Sequence, residues 1–236
     1  EIGAKPTDGA GYEGFAFDNE QPRHATLLRP FALATRPVTN GEWLEFVADR
    51  GYQRVELWLS DGWTWVQEQH IEAPLYWSRP DQNAQWSEFS LHGPRELAPA
   101  DPVCHISFYE ADAFARWSGA RLPTEVELEA AIASTDASDA DRELQLHPQL
   151  GADGPDGWFG TVWQWTQSPY AAYPGFQPFA GSMGEYNGKF MVNQHVLRGG
   201  ACVTPRGHLR PTYRNFFPPG ARWAFSGLRL ARNLES

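Results

Sequence analysis

Cysteine is scarce in this chain, since Cys104 and Cys202 are the only two among 236 residues. Two cysteines are too few for the disulfide framework of a small secreted domain, so we expect a cytoplasmic protein with two free thiols. Apolar runs are short as well. No stretch approaches the roughly 18 apolar residues of a transmembrane helix, and the first residues, EIGAKPTDGAGYEG, lack the apolar segment of a signal peptide.

Positive charge is also sparse. Lysine is rare, no Lys/Arg run exists, and the net charge is −10 with a pI of about 5.1. A nucleic-acid partner needs clustered basic residues, so this balance argues against one. Internal repeats and low-complexity linkers are missing too, and we therefore expect a single domain over residues 1–236.

Aromatic residues, glycine and proline are abundant. Phe, Trp and Tyr make up 14% of the chain, beside 22 glycines and 19 prolines. Disordered chains are poor in aromatics, so the chain is expected to fold. The composition predicts a loop-rich structure held by turns and aromatic packing.

Three capping boxes of the form S/T-x-x-E predict three helices. They begin at Thr39, Ser107 and Thr124, and each is followed by apolar residues at helical spacing. The first helix is predicted over residues 40–50. The second is predicted to stop at Gly119, because glycine commonly ends helices.

The second half of the chain reads as short strands separated by Gly/Pro turns. This order of elements, helices first and strands late, predicts an α+β fold with mainly antiparallel strands. Residues 52–100 read as surface loop, in which DGWTWVQ is interpreted as a short strand. The predicted late strands lie in 160–168, 195–203, 211–216 and 227–232.

Several segments resemble the sulfatase-modifying-factor family, the formylglycine-generating-enzyme fold related to C-type lectins. The likeness covers roughly residues 15–232 and is most specific in "RLPTEVELE" and "GTVWQWT". It implies a lectin-like α+β fold with short antiparallel strands and long loops. Most of these residues are expected to pack: Trp163 and Trp165 on one side of a strand, and Gly199-Gly200 at a tight crossing.

Copper-dependent members of that family use two cysteines on the strand after the Gly-Gly pair. The corresponding positions here are Thr204 and Leu209, and neither side chain is a soft ligand for Cu(I). Cys202 falls two residues early and Cys104 is distant in sequence. A copper oxidase is therefore disfavoured.

The chain more closely resembles the C-terminal half of the ergothioneine-pathway sulfoxide synthases. The most diagnostic stretch is 181–231, which includes "GEYNGKFMVNQHVLRGGACVTPRGHLRPTYRNFFPP" and "ARWAFSGLRLA". The resemblance implies an O2-dependent enzyme in which a non-haem Fe(II) joins a thiol to the imidazole of hercynine (Nα-trimethylhistidine), giving a sulfoxide.

The iron ligands of those synthases are three histidines of an N-terminal helical domain, two of them spaced H-x-x-x-H. This spacing does not occur among the seven histidines here, and the metal-ligand set in this chain is expected to be none. We therefore expect the chain to be a fragment or a separate subunit, inactive alone, whose partner is an iron-binding domain in cis or in trans. The histidines are His24, His70, His92, His105, His147, His195 and His208.

The resemblance assigns substrate contacts to the segment RPTYRNFFPP. Asn215 is expected to hydrogen-bond the carboxylate end of hercynine or a bridging water, and Phe216 to form a wall. The trimethylammonium group suits aromatic faces, for which Phe216, Phe217 and Trp223 are candidates. Arg214 is included as a site residue, and its guanidinium is expected to pair with an internal acidic residue, such as Glu20 or Asp18.

The identity of the thiol is predicted from two positions. Members that use γ-glutamylcysteine carry Asp and Arg at the places of Phe217 and Ala221. An apolar wall cannot pair the charges of the γ-glutamyl group, and leaving them unpaired costs several kcal/mol. The expected thiol is therefore free cysteine or another small thiol.

One branch of those synthases supplies a catalytic tyrosine from a Tyr-x-x-Tyr stretch. The resemblance aligns Met183 with the first tyrosine and Tyr186 with the second. Members that use cysteine draw their tyrosine from the other domain, and Met183 fits that branch. Tyr186 remains a site candidate, whereas Tyr170 and Tyr173 are expected to pack in a loop.

Three alternatives stay open. Oxygen-bearing residues could hold a structural Ca²⁺ at Asp18, Asn19 and Glu20, or at Asp153 and Asp156, with solvated loop acids as the simpler interpretation. The chain could instead be a stand-alone lectin-like module that binds a ligand without catalysis. It could also belong to a selenoneine-type synthase that takes a seleno-sugar as donor.

Overall fold

The computed structural model describes residues 1–7, 11–12, 15–81, 84–135, 145–149, 158–182, 184–205 and 207–234. The described part is a mixed α+β fold. Its helices are α1 (Asn40–Ala48), α2 (Ser60–Gln69), α3 (Phe108–Trp117) and α4 (Glu125–Ala133). Its strands are β1 (Pro6–Thr7), β2 (Gly11–Tyr12), β3 (Phe31–Leu33), β4 (Trp77–Ser78), β5 (Ser87–Ser90), β6 (Gly93–Glu96), β7 (Trp163–Pro169), β8 (His195–Arg198), β9 (Asn215–Phe217), β10 (Ser226–Gly227) and β11 (Ala231–Asn233).

All three capping boxes are confirmed, at the starts of α1, α3 and α4. At α1 the Thr39 hydroxyl accepts a hydrogen bond from the Glu42 N–H, and the Glu42 carboxylate accepts one from the Thr39 N–H at 2.8 Å. The helix ends at Ala48, two residues before its predicted end. Gly51 is needed for space rather than for a left-handed turn, because a Cβ there would lie 2.1 Å from the Phe46 ring.

The segment DGWTWVQ forms α2, so the predicted strand is wrong. Gly62 and Val66 lie four residues apart and are both buried, which puts one narrow face of a helix against the core. A Cβ at Gly62 would come within 2.9 Å of the Tyr109 ring. Tertiary contact with α3 thus selects the helix, although the aromatic residues favour a strand.

The late strands form a four-stranded sheet in the order β10-β7-β8-β9. The β7–β8 and β8–β9 pairs are antiparallel, as predicted, whereas β10 runs parallel to β7. β9 is the last strand of this sheet and pairs through Phe216 with Val196. The fold therefore places the segment RPTYRNFFPP at a sheet edge.

A second sheet, β4-β5-β6, lies in the region predicted to be surface loop. Its strands hold two to four residues and do not alternate cleanly between apolar and polar, so the sequence carries no period-2 signal. Phe89 and Pro94 face each other across β5 and β6. The prediction of irregular structure is therefore wrong for residues 77–78, 87–90 and 93–96.

The core is built from aromatic residues of the helices packed on β7. Trp43 stacks on Phe114 with ring centroids 4.8 Å apart, and both side chains are buried. Trp165 is fully inaccessible and donates from its indole N–H to the Ile106 carbonyl at 2.9 Å. Gly199 adopts φ +94°, and a Cβ there would lie 2.6 Å from the Trp158 carbonyl, which confirms the tight crossing.

Within the described ranges, none of the helices combines the length and the apolar character that crossing a membrane requires.

Candidate functional site

A cavity of about 300 Å³ opens beside β9, and we call it the β9 cavity. This volume is at the small end of ligand sites and suits a molecule the size of an amino acid. Five of the seven predicted site residues line it: Tyr186, Arg214, Asn215, Phe216 and Phe217. The other lining residues are Phe17, Asn19, Asn187 and Tyr213.

Asn215 presents a hydrogen-bond donor to the β9 cavity. Its Oδ1 accepts a hydrogen bond from the Phe216 N–H at 2.9 Å, which fixes the orientation of the amide. Among the described residues no acceptor bonds its Nδ2. The amide is half-buried, so Nδ2 is available to an anionic or carbonyl group of a ligand.

Aromatic rings form the wall of the β9 cavity. Phe216 is 9% exposed and stacks on Tyr170, with centroids 4.0 Å apart and planes 8° apart. Tyr186 is 60% exposed at the rim, 6.0 Å from the Phe216 ring. Tyr170 is buried packing, as predicted, and that burial raises its pKa to about 12.

Phe217 also lines the cavity, but Trp223 does not. Trp223 meets the edge of the Phe217 ring at 5.0 Å and is 63% exposed. It therefore supports the wall from outside, and its contact with substrate stays a prediction. Met183 lies outside the described residues, as do Asp153 and Asp156.

Arg214 pairs with an internal acidic residue, as predicted, but the residue is Glu125 and not Glu20 or Asp18. Its Nε and Nη2 lie 2.8 and 3.0 Å from the two carboxylate oxygens of Glu125. Its Nη1 donates to the Asn19 carbonyl at 2.8 Å. Glu125 follows the cap of α4, and the two partners are 89 residues apart, which no local pattern reveals.

Arg198 of β8 shares the same carboxylate. Its Nη2 lies 2.8 Å from the Glu125 carboxylate and 2.8 Å from the Tyr173 hydroxyl. Burial on its own raises the pKa of Glu125, but the charges of Arg214 and Arg198 outweigh it and hold the pKa below its usual range. Arg198 also pairs with Glu129 at 2.9 Å, so two carboxylates balance the two guanidinium groups behind the β9 cavity. Among the described residues, no carboxylate lines the cavity itself.

Glu20 pairs with Arg210 instead. Its carboxylate also accepts a hydrogen bond from the Thr212 hydroxyl at 2.6 Å, and Asp18 accepts one from the Asn187 amide at 2.6 Å. The carboxylates of Glu20 and Asp18 are thus engaged by protein donors, and calcium binding at residues 18–20 stays a prediction.

Sequence reasoning missed four lining residues. Phe17 and Asn19 reach the β9 cavity from the other end of the chain, through the short 3₁₀ helix Asp18–Glu20. Asn19 is 2% exposed and donates to the Tyr170 hydroxyl at 2.9 Å, while its Oδ1 has no hydrogen-bond partner. Asn187 and Tyr213 lie within the segments that resemble the sulfoxide synthases, so this resemblance could have identified them as candidates.

A second cavity, of about 330 Å³, borders α1 and α2. Its lining is mainly charged and amide side chains, and Tyr52 is its one aromatic ring besides the His70 imidazole. A cationic methylated group gains little there, because cation–π attraction needs aromatic faces. The lining consists of Val47, Arg50, Tyr52, Gln53, Val66, Gln67, His70, Ile71, Glu72 and Arg79.

The fold and the aromatic β9 cavity define a sulfatase-modifying-factor-like domain. Residues 5–149 and 152–234 match the FGE-sulfatase family, the Sulfatase-modifying factor enzyme 1-like domain. The chain belongs to this family, which confirms the fold class. PvdO from Pseudomonas aeruginosa shares the fold, with a TM-score of 0.56 at 20% identity over 99% of this chain and 91% of that chain.

The resemblance to ergothioneine enzymes is confirmed as well. "Hercynine oxygenase" of Mycolicibacterium smegmatis is 35% identical over 93% of this chain and 56% of its own length. The protein of the same name from Mycobacterium tuberculosis is 35% identical over 94% of this chain and 57% of its own. "Ergothioneine biosynthesis protein 1" of Schizosaccharomyces pombe is 29% identical over 93% of this chain and 28% of its own length. The chain thus spans about half the length of the first two relatives.

Proposed function

We propose that this chain is the substrate-binding half of a non-haem iron sulfoxide synthase. The reaction joins the sulfur of cysteine to the imidazole of hercynine, using O2. The observation that carries the proposal is the β9 cavity, in which the unbonded Nδ2 of Asn215 stands beside the rings of Phe216 and Phe217. Relatives named as hercynine oxygenases support the choice of substrate.

Hercynine matches the two kinds of surface in the β9 cavity. A quaternary ammonium cannot donate hydrogen bonds and gains about 2 kcal/mol over an aromatic face when desolvated. Phe216, Phe217 and Tyr213 offer such faces. The carboxylate of hercynine then accepts from Asn215 Nδ2. This pairing orients the imidazole, the part of hercynine that reacts, away from the amide.

The charges around the β9 cavity favour a small thiol. Glu125 neutralises Arg214, and the described part of the lining contains no carboxylate to receive the ammonium of a γ-glutamyl group. Phe217 and Ala221 are apolar where γ-glutamylcysteine users carry charges. We therefore propose free cysteine as the thiol, with its remaining contacts supplied by the other domain.

The residues of this chain do not fit a three-histidine iron centre at the β9 cavity. No histidine lines it. In the described part, the one set of His, Cys, Asp and Glu side chains close enough to hold a metal is Glu88, Asp101 and His147, and none of these lines it either. We propose that the iron, which would supply O2 activation when bound, is held by a domain outside this chain. The role of this chain is to bind and orient substrates and to exclude water.

Asn215→Asp tests the role of the amide donor. The variant keeps the Oδ1 acceptor for the Phe216 N–H but replaces the Nδ2 donor with an anionic oxygen. In the protein that joins this chain to its iron-binding domain, the KM for hercynine is expected to rise about 10- to 100-fold, because a hydrogen bond to a charged group contributes about 1.5–3 kcal/mol. The KM for cysteine is expected to change little.

Gln67→Ala is the matched control, because Gln67 is an exposed amide that lines the α1–α2 cavity. Steady-state kinetics with hercynine varied should leave it unchanged. If the KM for hercynine rises in Gln67→Ala but not in Asn215→Asp, hercynine binds in the α1–α2 cavity, and the assignment of hercynine to the β9 cavity is wrong.

A further inference from the structure

We propose that Glu88, Asp101 and His147 form a binding site for a divalent transition-metal ion, of which Zn²⁺ suits the donors best. One ligand atom from each residue lies within 4.8 Å of the others. His147 Nε2 is 3.3 Å from Glu88 Oε1 and 3.9 Å from Asp101 Oδ2. The site is separate from the β9 cavity and does not depend on the proposed function.

The imidazole of His147 gives an independent reason for a ligand. His147 is 3% exposed, and within the described ranges neither ring nitrogen makes a hydrogen bond, although Nε2 lies 3.3 Å from Glu88 Oε1. Buried polar groups are nearly always hydrogen-bonded, and an unsatisfied one indicates a missing water or ion. A metal ion bound to Nε2, 3.3 Å from a carboxylate that is itself buried, would satisfy the nitrogen that points into the cluster.

The fold brings the three donors from distant segments. Glu88 lies on β5, where it pairs in register with Arg95 of β6. Asp101 is fixed at the start of α1, because its carbonyl accepts from the Asn40 N–H at 2.8 Å. His147 belongs to the described segment 145–149. A bound ion would cross-link three parts of the chain: the β4-β5-β6 sheet through Glu88, the segment before α3 through Asp101, and the segment 145–149 through His147. We therefore infer a structural role for the ion.

The donor set selects the kind of ion. Imidazole nitrogen and carboxylate oxygen are both donor types that Zn²⁺ binds, and a water can complete the tetrahedron around three protein ligands. Calcium prefers six to eight oxygen ligands and gains nothing from the imidazole. Manganese binds such mixed sites more weakly than zinc in the usual affinity order.

Arg95 occupies the place of the metal charge in this structure. Its Nη2 lies 2.7 Å from Glu88 Oε1 and 2.5 Å from Asp101 Oδ2. The side chain is 26% exposed, so it can withdraw toward solvent when an ion neutralises the two carboxylates. Because the guanidinium competes with the ion, removing it should tighten metal binding, whereas removing His147 should weaken it.

Zinc titration of the untagged, metal-depleted 236-residue chain tests the site. By calorimetry the wild type should bind one equivalent of Zn²⁺, and His147→Ala should lose this binding. Arg95→Ala should bind Zn²⁺ at least about tenfold more tightly, because the guanidinium that competes with the ion for the carboxylates of Glu88 and Asp101 is removed. With zinc at about 100 times its Kd, the Tm of the wild type should rise by about 5 °C or more.

His92→Ala is the matched control, because His92 is exposed in the β5–β6 turn of the same sheet. It should bind zinc as the wild type does, and excess Ca²⁺ should not displace the bound zinc. If His147→Ala does not fold, His147→Asn and the visible absorption of the Co²⁺-loaded wild type replace it. Equal zinc affinity in the wild type and the His147 variant, or absence of binding by the wild type, would overturn the proposal.

Discussion

Replacing Glu125 with alanine is expected to lower the free energy of unfolding by about 3–5 kcal/mol, because it leaves the buried guanidinium of Arg214 without a carboxylate and that of Arg198 with only Glu129, at 2.9 Å. Arg198 and Arg214 both bond this carboxylate, at 2.8 Å and at 2.8 and 3.0 Å. Arg198 is fully buried and Arg214 is 2% exposed, so neither can reach water without moving. Urea unfolding at pH 7 measures the loss.

The exposed pair Glu185–Lys189 provides the comparison. Its nitrogen–oxygen distance is 2.6 Å, shorter than those of the buried network, but both side chains are more than two-thirds exposed. Glu185→Ala should therefore change stability by less than about 1 kcal/mol. A Glu125→Ala loss as small as this would show that the buried network does not hold the β9 region.

The same carboxylate makes a signed prediction about pH. The folded-state pKa of Glu125 lies below its usual value, because Arg214 and Arg198 outweigh the effect of burial. The contribution of Glu125 to stability is therefore fully present above the pKa of a glutamate in the unfolded chain, about 4.3. It is lost as the pH falls through the lower pKa that Glu125 has in the folded protein. Glu125→Gln should flatten this part of the stability profile between pH 5 and pH 3, as measured by urea unfolding.

Phe217→Asp combined with Ala221→Arg is expected to shift the thiol preference toward γ-glutamylcysteine by about 10- to 100-fold in kcat/KM. The new charges would pair the ammonium and carboxylate of the γ-glutamyl group, and each tenfold change corresponds to about 1.4 kcal/mol. Phe217 lines the β9 cavity, and Ala221 follows it through a turn closed by the Ala221 N–H and the Pro218 carbonyl at 2.9 Å. Competition between the two thiols measures the ratio.

Phe217→Leu keeps the position apolar and serves as the control. It should weaken hercynine binding by removing an aromatic face, but leave the ratio between the two thiols unchanged. If the charged double variant and Phe217→Leu give the same ratio, the charges at these positions do not select the thiol.

Local features of the fold were predictable, and non-local ones were not. The capping boxes at Thr39, Ser107 and Thr124 are closed by neighbouring residues, so the sequence alone reveals them. The helix α2 depends on Gly62 packing against Tyr109, a contact that no pattern within residues 60–69 contains. The strands β4, β5 and β6 are too short to show a period.

The candidate site divides in the same way. Asn215, Phe216 and Phe217 are contiguous, and the resemblance could assign them together to one cavity. Glu125 could not be found as the partner of Arg214, because acids occur throughout the chain and only the packing of α4 against β7 and β8 selects one. Asn19 was read as a possible cation ligand, whereas the fold turns it toward the β9 cavity.

Product formation from hercynine, O2 and either thiol tests the central claim most directly. The protein to use is the one that joins this chain to its iron-binding domain, with the sulfoxide detected by mass spectrometry. We predict a hercynine-dependent sulfoxide with cysteine, and a lower kcat/KM with γ-glutamylcysteine. A faster reaction with γ-glutamylcysteine, or no sulfoxide with either thiol, would contradict the account.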